Sequence, residues 1–196
     1  VCFKAGWKGE FYLTEEEPFY TVKGEKTCQF MKKSEKTTAY FGNRFTAVTR
    51  EMDNGAFKMI FFLPDEDSST DELIRDQQVL ALMEGRTGKI SQARIKVNMS
   101  IPKFDVTANY GLDDGLKALG VTDLYDKEKR DLGGIFKNPA IVDGVGASHA
   151  ARVKIDEEGV EAAAYTLITY AMRGTTTQKL QEIDFILDRP FVFAIT

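Results

Sequence analysis

The 196-residue chain has few of the residues that build special sites. Its two cysteines, Cys2 and Cys28, are too few for a disulfide scaffold. Nothing in the sequence supports a bridge between them, and they read as partly buried free thiols. There is one histidine, His149, and no cysteine cluster, so no metal site and no cofactor are expected. No apolar run approaches the ~20 residues of a membrane helix, so no membrane partner is expected either. Lys plus Arg is 26 against 30 for Asp plus Glu, a net charge of −4. That balance lacks the basic face of a nucleic-acid binder. With 16 Gly and 5 Pro the chain is not of low complexity.

What is present is core material: 43% hydrophobic residues, including 14 Phe, 7 Tyr and one Trp, which argues against disorder. Residues 37–41 and 45–49 read as strands around the turn Gly42-Asn43-Arg44. Residues 57–63 (FKMIFFL) suit a strand buried on both faces. Ser68-Ser69-Thr70-Asp71-Glu72 predicts a helix start, with two short helices ending near Gly85. Residues 93–102 alternate apolar and polar from Ile95 on, as a half-buried strand does. Leu112, Leu116 and Leu119 recur at helical spacing and stop at Gly120. Residues 141–155 are mostly strand-like, and 191–195 form a final buried strand. Many strands, short helices and no regular βαβ alternation give an α+β class, not a doubly wound sheet.

No catalytic constellation survives inspection. Asp143, Ser148 and His149 are the residue types of a hydrolase triad, but adjacent strand residues point to opposite faces. Gly144-Val145-Gly146 lacks the third glycine and the helix of a dinucleotide fingerprint. The acidic clusters 15–17 and 65–67 read as solvated turns. The chain is therefore not expected to be an enzyme. Both ends are apolar, Val1-Cys2-Phe3 and residues 191–196, so a piece of a longer chain is expected.

One segment breaks the pattern. Residues 157–173 read EEGVEAAAYTLITYAMR. Glu161-Ala162-Ala163-Ala164 favours helix, whereas residues 165–170 are β-branched and aromatic and favour strand. Composition alone favours a surface helix followed by a loop. The sharper reading is a segment that holds two conformations. As a strand it would turn Val160, Ala162, Ala164, Thr166, Ile168 and Tyr170 inward, none of them charged or proline.

Glu157, Glu158, Gly159, Val160, Glu161, Ala162, Ala163 and Ala164 resemble the hinge of the reactive-centre loop of serpins, the serine protease inhibitors. Asp188, Arg189, Pro190 and Phe191, continuing to Phe193, resemble that family's C-terminal signature. Phe3-Lys4 with Trp7 resembles the breach, where the loop enters the central sheet, and His149 resembles the shutter histidine. Residues 61–66, 101–104 and 116–123 follow in family order.

The resemblance spans the chain and implies the C-terminal half of a serpin domain over 1–196, with the reactive-centre loop at about 157–180. The implied fold is multi-sheet and mostly antiparallel, with short helices. The implied function is suicide inhibition, in which a protease cleaves the loop, is held as an acyl-enzyme, and is trapped as the loop inserts as a new strand. Family spacing puts the scissile residue sixteen positions after Glu157, at Arg173, with Gly174 following. Arginine suits an aspartate-floored S1 pocket, which implies a trypsin-like target protease. Val160 stands where the family has Thr or Ser, Ala5 where it often has Gly, and Tyr165 and Tyr170 are bulky for this loop. The stretch from Gly174 to Arg189 is longer than usual, so the reactive bond could shift to Met172 or Tyr170. The alternative is a non-inhibitory serpin, a binding or chaperone-like module whose loop is an ordinary substrate. A monomer and secretion to the extracellular space are further expectations from the family.

Overall fold

The computed structural model describes residues 3–138, 142, 144–160 and 181–196. The chain divides into two compact units, Val1–Phe104 with Lys154–Thr196, and Asp105–Val153.

The first unit is built on strands β1 (Ala5–Gly6), β2 (Leu13–Thr21), β3 (Gly24–Phe41), β4 (Phe45–Glu51) and β5 (Lys58–Pro64). Helices α1 (Thr70–Leu73) and α2 (Gln77–Met83) precede the long strand β6 (Ser91–Pro102). The 42–44 turn joins β3 to β4 as expected, with the Gly42 amide bonded to the Phe45 carbonyl. Strand β5 is buried on both faces because helices cover one and aromatic rings the other. On one side Tyr40, Phe45, Ala47, Ile60 and Phe62 pack with Leu73, Val79, Leu82 and Ile90. On the other, Phe61 lies 6.5 Å from Trp7 and 6.3 Å from Phe191, ring centre to ring centre. Helix α1 starts in a capping box between Ser69 and Glu72, and α2 starts at Asp76, whose carboxylate accepts from the Gln78 and Val79 amides.

Several strands depart from expectation. Glu15–Glu17, read as a solvated turn, lie in β2, which pairs with β3 along its whole length. Lys32 on β3 bonds Glu15 at 2.6 Å and also bonds Glu17, so these two acids share a counter-charge across the ladder. Glu15 and Glu17 share one face of the strand, and such a carboxylate pair is tolerated when the facing strand supplies a counter-charge. Residues 5–6, 104–111 and 182–186 also form strands that sequence reasoning missed.

In the second unit, β7 (Phe104–Gly111), which begins at the boundary, neighbours β8 (Ser148–Ile155), and α3 (Asp113–Ala118) lies between them in the chain. The strand expected over 141–155 is confined to β8, and residues 141 and 143 lie outside the described residues. Helix α3 ends before Gly120, whose φ of +92° suits glycine, but Leu112 and Leu119 are exposed.

The remaining strands return to the first unit: β9 (Gly159–Val160), β10 (Glu182–Ile186) and β11 (Val192–Ile195). Strand β10 runs parallel to β6, and β11 closes the other edge against β5, giving the order β10-β6-β3-β4-β5-β11 with β2 on β3. The Ile183, Phe185, Leu187 alternation was the available signal for β10. Cys28 is a half-buried free thiol, while Cys2 lies outside the described residues.

Candidate functional site

The site is the corner where β9 meets β1. After Ile155 the chain turns through Asp156, and Val160 comes to face Ile155 across an antiparallel pair. Asp156 holds this turn. Its backbone N–H donates to the Gly159 carbonyl at 3.1 Å, and its carboxylate accepts from the Glu158 amide at 3.0 Å and the Gly159 amide at 3.3 Å. Burial opposes ionisation of Asp156, but the Lys154 ammonium at 2.8 Å and the Glu158 amide outweigh it and hold the carboxyl below its usual range.

On its other side β9 pairs antiparallel with β1, Gly159 opposite Gly6 and Val160 opposite Ala5. Glycine is required at 159. Its φ is +147°, and a Cβ there would lie 2.2 Å from the Ala5 carbonyl oxygen and 2.6 Å from the Gly6 Cα. Gly6 is less constrained: a Cβ there would lie 2.8 Å from an Asp53 carboxylate oxygen, the end of a side chain that can swing away. Val160 is buried, so the first position expected to turn inward does so.

Trp7 fastens the corner from β1. It is buried and bridges to Met52 in antiparallel fashion. Its indole Nε1–H donates to the Asp156 carbonyl at 2.7 Å, and its backbone amide donates to the Glu158 carbonyl at 3.3 Å. Glu157 is held from a different element. Lys103, just beyond β6, bonds its carboxylate at 2.7 Å and keeps its carboxyl below the usual range. Lys103 itself is anchored by its backbone amide on the Gln29 carbonyl.

Trp7, Glu157, Glu158, Gly159 and Val160 are therefore brought together. His149 lies on β8 in the other unit and is exposed. Glu161, Ala162, Ala163 and Ala164, the Arg173–Gly174 bond and its alternatives Met172 and Tyr170 lie outside the described residues. The chain is described again from Gln181, whose carbonyl accepts from the Lys96 amide at 3.2 Å as β10 begins. The signature residues secure the far end. The Asp188 carbonyl accepts from the Tyr20 amide at 2.6 Å, and Arg189 donates to the Pro64 carbonyl at 2.9 Å. Phe191 packs among Phe19, Phe61 and Phe104.

Sequence reasoning did not single out Asp156 or Lys103. Asp two residues before Glu158 is an Asx-turn signal that was there to read. The Lys103–Glu157 pair has no local signature, because its partners meet only through the fold. Among the described residues, no group of three or more His, Cys, Asp or Glu is placed to hold a metal ion. No helix among them is long and apolar enough to cross a membrane. The corner offers no nucleophile and base in contact. What it can do is conformational: it grips the root of a segment on both strand edges.

The family model described as "Serpin (serine protease inhibitor)" matches residues 1–196. Among curated proteins the chain is 30% identical to Serpin-ZX of Arabidopsis thaliana over 207 residues, covering 100% of this chain and 52% of that one. It is 31% identical to the human (Homo sapiens) leukocyte elastase inhibitor over 209 residues, with the same coverage of 100% and 52%. Among solved structures, a serpin of the trematode Schistosoma haematobium aligns with a TM-score of 0.75 at 25% identity, covering 99% of this chain and 50% of that one. Native tengpin, a thermophilic serpin, aligns with a TM-score of 0.72 at 22% identity, covering 97% and 48%, a likeness of fold. The chain spans about half the length of the curated relatives it matches. The corner of β1 and β9, with the hinge-like sequence running out of it, thus sits on a matching fold, and the chain belongs to the serpin family.

Proposed function

We propose that this chain carries the bait loop, about residues 157–180, and part of the receiving sheet of a suicide inhibitor of trypsin-like serine proteases. The observation that carries the reading is the seating of Gly159 and Val160 as a strand against Ala5 and Gly6. The root of the loop already has strand geometry, and the residues that follow, Glu161 to Ala164, are small or solvent-tolerant. Insertion therefore extends a strand already begun and needs no new nucleus.

The chemistry belongs to the protease. Its serine Oγ attacks the Arg173 carbonyl carbon, the Arg173–Gly174 peptide bond breaks, and the Gly174 amine leaves with a proton from the protease histidine. The product is an ester between the serine and Arg173. Water would normally hydrolyse it. Instead the freed segment, tethered at Val160, adds to the sheet as a strand. At about 3.3 Å per residue, thirteen inserted residues from Glu161 to Arg173 place the ester roughly 40 Å along the sheet from Val160. A protease dragged that far against the body of the inhibitor loses the geometry that deacylation needs. The inhibitor acts as a monomer, its one partner is the protease, and the chain itself catalyses nothing. The trap works in any compartment where that protease is active.

The test is to mix trypsin with the protein containing this chain and run a denaturing gel, with mass spectrometry of the released C-terminal piece. A covalent complex and a fragment beginning at Gly174 are expected, and Arg173→Ala should abolish the complex. A fragment beginning at Ala171 would move the bait bond to Tyr170 and the target to chymotrypsin-like enzymes. Cleavage at Arg173 with no complex would make the loop a plain substrate and replace inhibition by the non-inhibitory reading.

A further inference from the structure

Arg50, on β4, is a buried charge that neither the hinge nor the signature accounts for. Its side chain is 1% exposed. Arginine is rarely buried so fully without compensation, and the compensation here is specific. Glu35 on β3 bonds Nη1 at 2.6 Å, and Nη2 donates to the Gly9 carbonyl. The guanidinium carbon lies 4.8 Å from the centre of the Phe11 ring and 5.7 Å from that of Trp7. Trp7 and Phe11 meet edge to face at 6.0 Å. Among the described residues the Arg50 Nε has no hydrogen-bond partner, so the fork is committed to Glu35 and Gly9 and the rest of the cation to the rings.

The guanidinium therefore ties β3 and β4 to the segment from Trp7 to Phe11. Trp7 passes the constraint on, since its indole N–H bonds the Asp156 carbonyl, and Asp156 in turn caps the Glu158 and Gly159 amides. A continuous path of bonded or stacked groups runs from Glu35 through Arg50, Trp7 and Asp156 to the root of the loop. The cation–π contact is worth most where the cation is desolvated, as it is here.

We propose that Arg50, held by Glu35, is a positioning residue for the loop: it fixes the Trp7 ring and, through Asp156, keeps Gly159 and Val160 seated against β1. This rests on the loop reading given above and adds a regulator to it. Weakening the guanidinium frees the indole, loosens the Asp156 turn and unseats the root of the loop. In a protein that inserts this loop, the first extension step then slows, and more cleaved loops are hydrolysed before they are trapped.

The test is amide hydrogen exchange, resolved by residue, on the intact protein with Arg50→Met, Arg50→Lys and Glu35→Gln. In Arg50→Met, the Trp7 indole N–H and the Glu158 and Gly159 amides should exchange faster by about tenfold or more, while the β3–β4 and β4–β5 ladders stay at their original rates. Arg50→Lys keeps the charge without the fork and should recover part of that protection. Glu35→Gln, which keeps a neutral acceptor, should lie between wild type and Arg50→Met, and it carries the test if Arg50→Met does not fold. Faster exchange everywhere at once would make Arg50 a general stabiliser and overturn the proposal, as would unchanged protection at Trp7 and Gly159. No protease enters this readout, so a failure to trap trypsin and a failure of Arg50 to position the loop are separate results.

Discussion

At the scale of single residues, the hinge corner depends on a few atoms that have no substitute. Gly159→Ala would place a methyl group inside the Ala5 carbonyl and force a side chain onto a positive φ. The expected cost is about 1–3 kcal/mol, localised to β9. It is read as loss of exchange protection at Gly159 and Val160 without a matching loss in β4. Trp7→Phe keeps an aromatic ring but removes the N–H that bonds Asp156 together with part of the buried indole. The expected loss is about 1 kcal/mol, read from denaturant unfolding. Asp156 and Glu157 both ionise more readily here than in an unfolded chain. Depressed carboxyls stabilise the folded corner fully above their unfolded values, about 4, and that contribution is lost as pH falls through the lower folded values. The corner should thus loosen in acid, seen as a change in Trp7 fluorescence below about pH 4. Lys103→Met should remove the Glu157 part of that pH dependence. Because Glu157 is half exposed, the effect at neutral pH is small, under about 1 kcal/mol.

At the scale of elements, β10 is the first strand of the described chain after residue 180. It is a parallel edge strand fastened by a polar ladder. Asn98 on β6 donates to Glu182 at 2.9 Å and Asp184 at 2.8 Å, accepts from Ser34 on β3, and stands beside Lys96, which bonds Glu182 at 2.7 Å. Asn98→Asp would replace the shared donor with a third carboxylate. Strand β10 is then expected to exchange and to be cut by proteases faster than β11, a contrast measurable by limited proteolysis. This element was hard to read in advance because Glu182 and Asp184 look like loop residues until β6 supplies their partners. For the same reason residues 15–17 read as a turn, since the Lys32 that bonds Glu15 and Glu17 lies on another strand. The helix starts at Ser69 and the buried run of β5 were legible because caps and apolar runs are local signals. The seat of Gly159 and Val160 was legible only through the family resemblance. The alanines that follow favour helix on their own, and it is pairing with β1, remote in sequence, that makes the root of the loop a strand. Arg50 left no trace at all, since an arginine in an amphipathic strand reads as solvated until the rings of Trp7 and Phe11 close over it.

At the scale of the molecule, the account requires a protein that is more stable after its loop is cut than before. In the proposed mechanism, residues 161–173 add to the sheet only after cleavage. Cut at Arg173, the segment would extend β9 under that proposal, add ladder hydrogen bonds and turn Ala162, Ala164, Thr166, Ile168 and Tyr170 inward. Ordinary nicking of a loop leaves stability unchanged or lowers it, so the sign of the change separates the two. The native state of such a protein is held by a barrier and not by equilibrium. The direct measurement is the thermal midpoint of the protein containing this chain before and after limited trypsin cleavage, with the cut located by mass spectrometry at Arg173–Gly174. The expected result is a rise far beyond the roughly 2–8 °C that 1 kcal/mol produces in an ordinary domain. An unchanged or lowered midpoint after cleavage at that bond would contradict insertion of the loop.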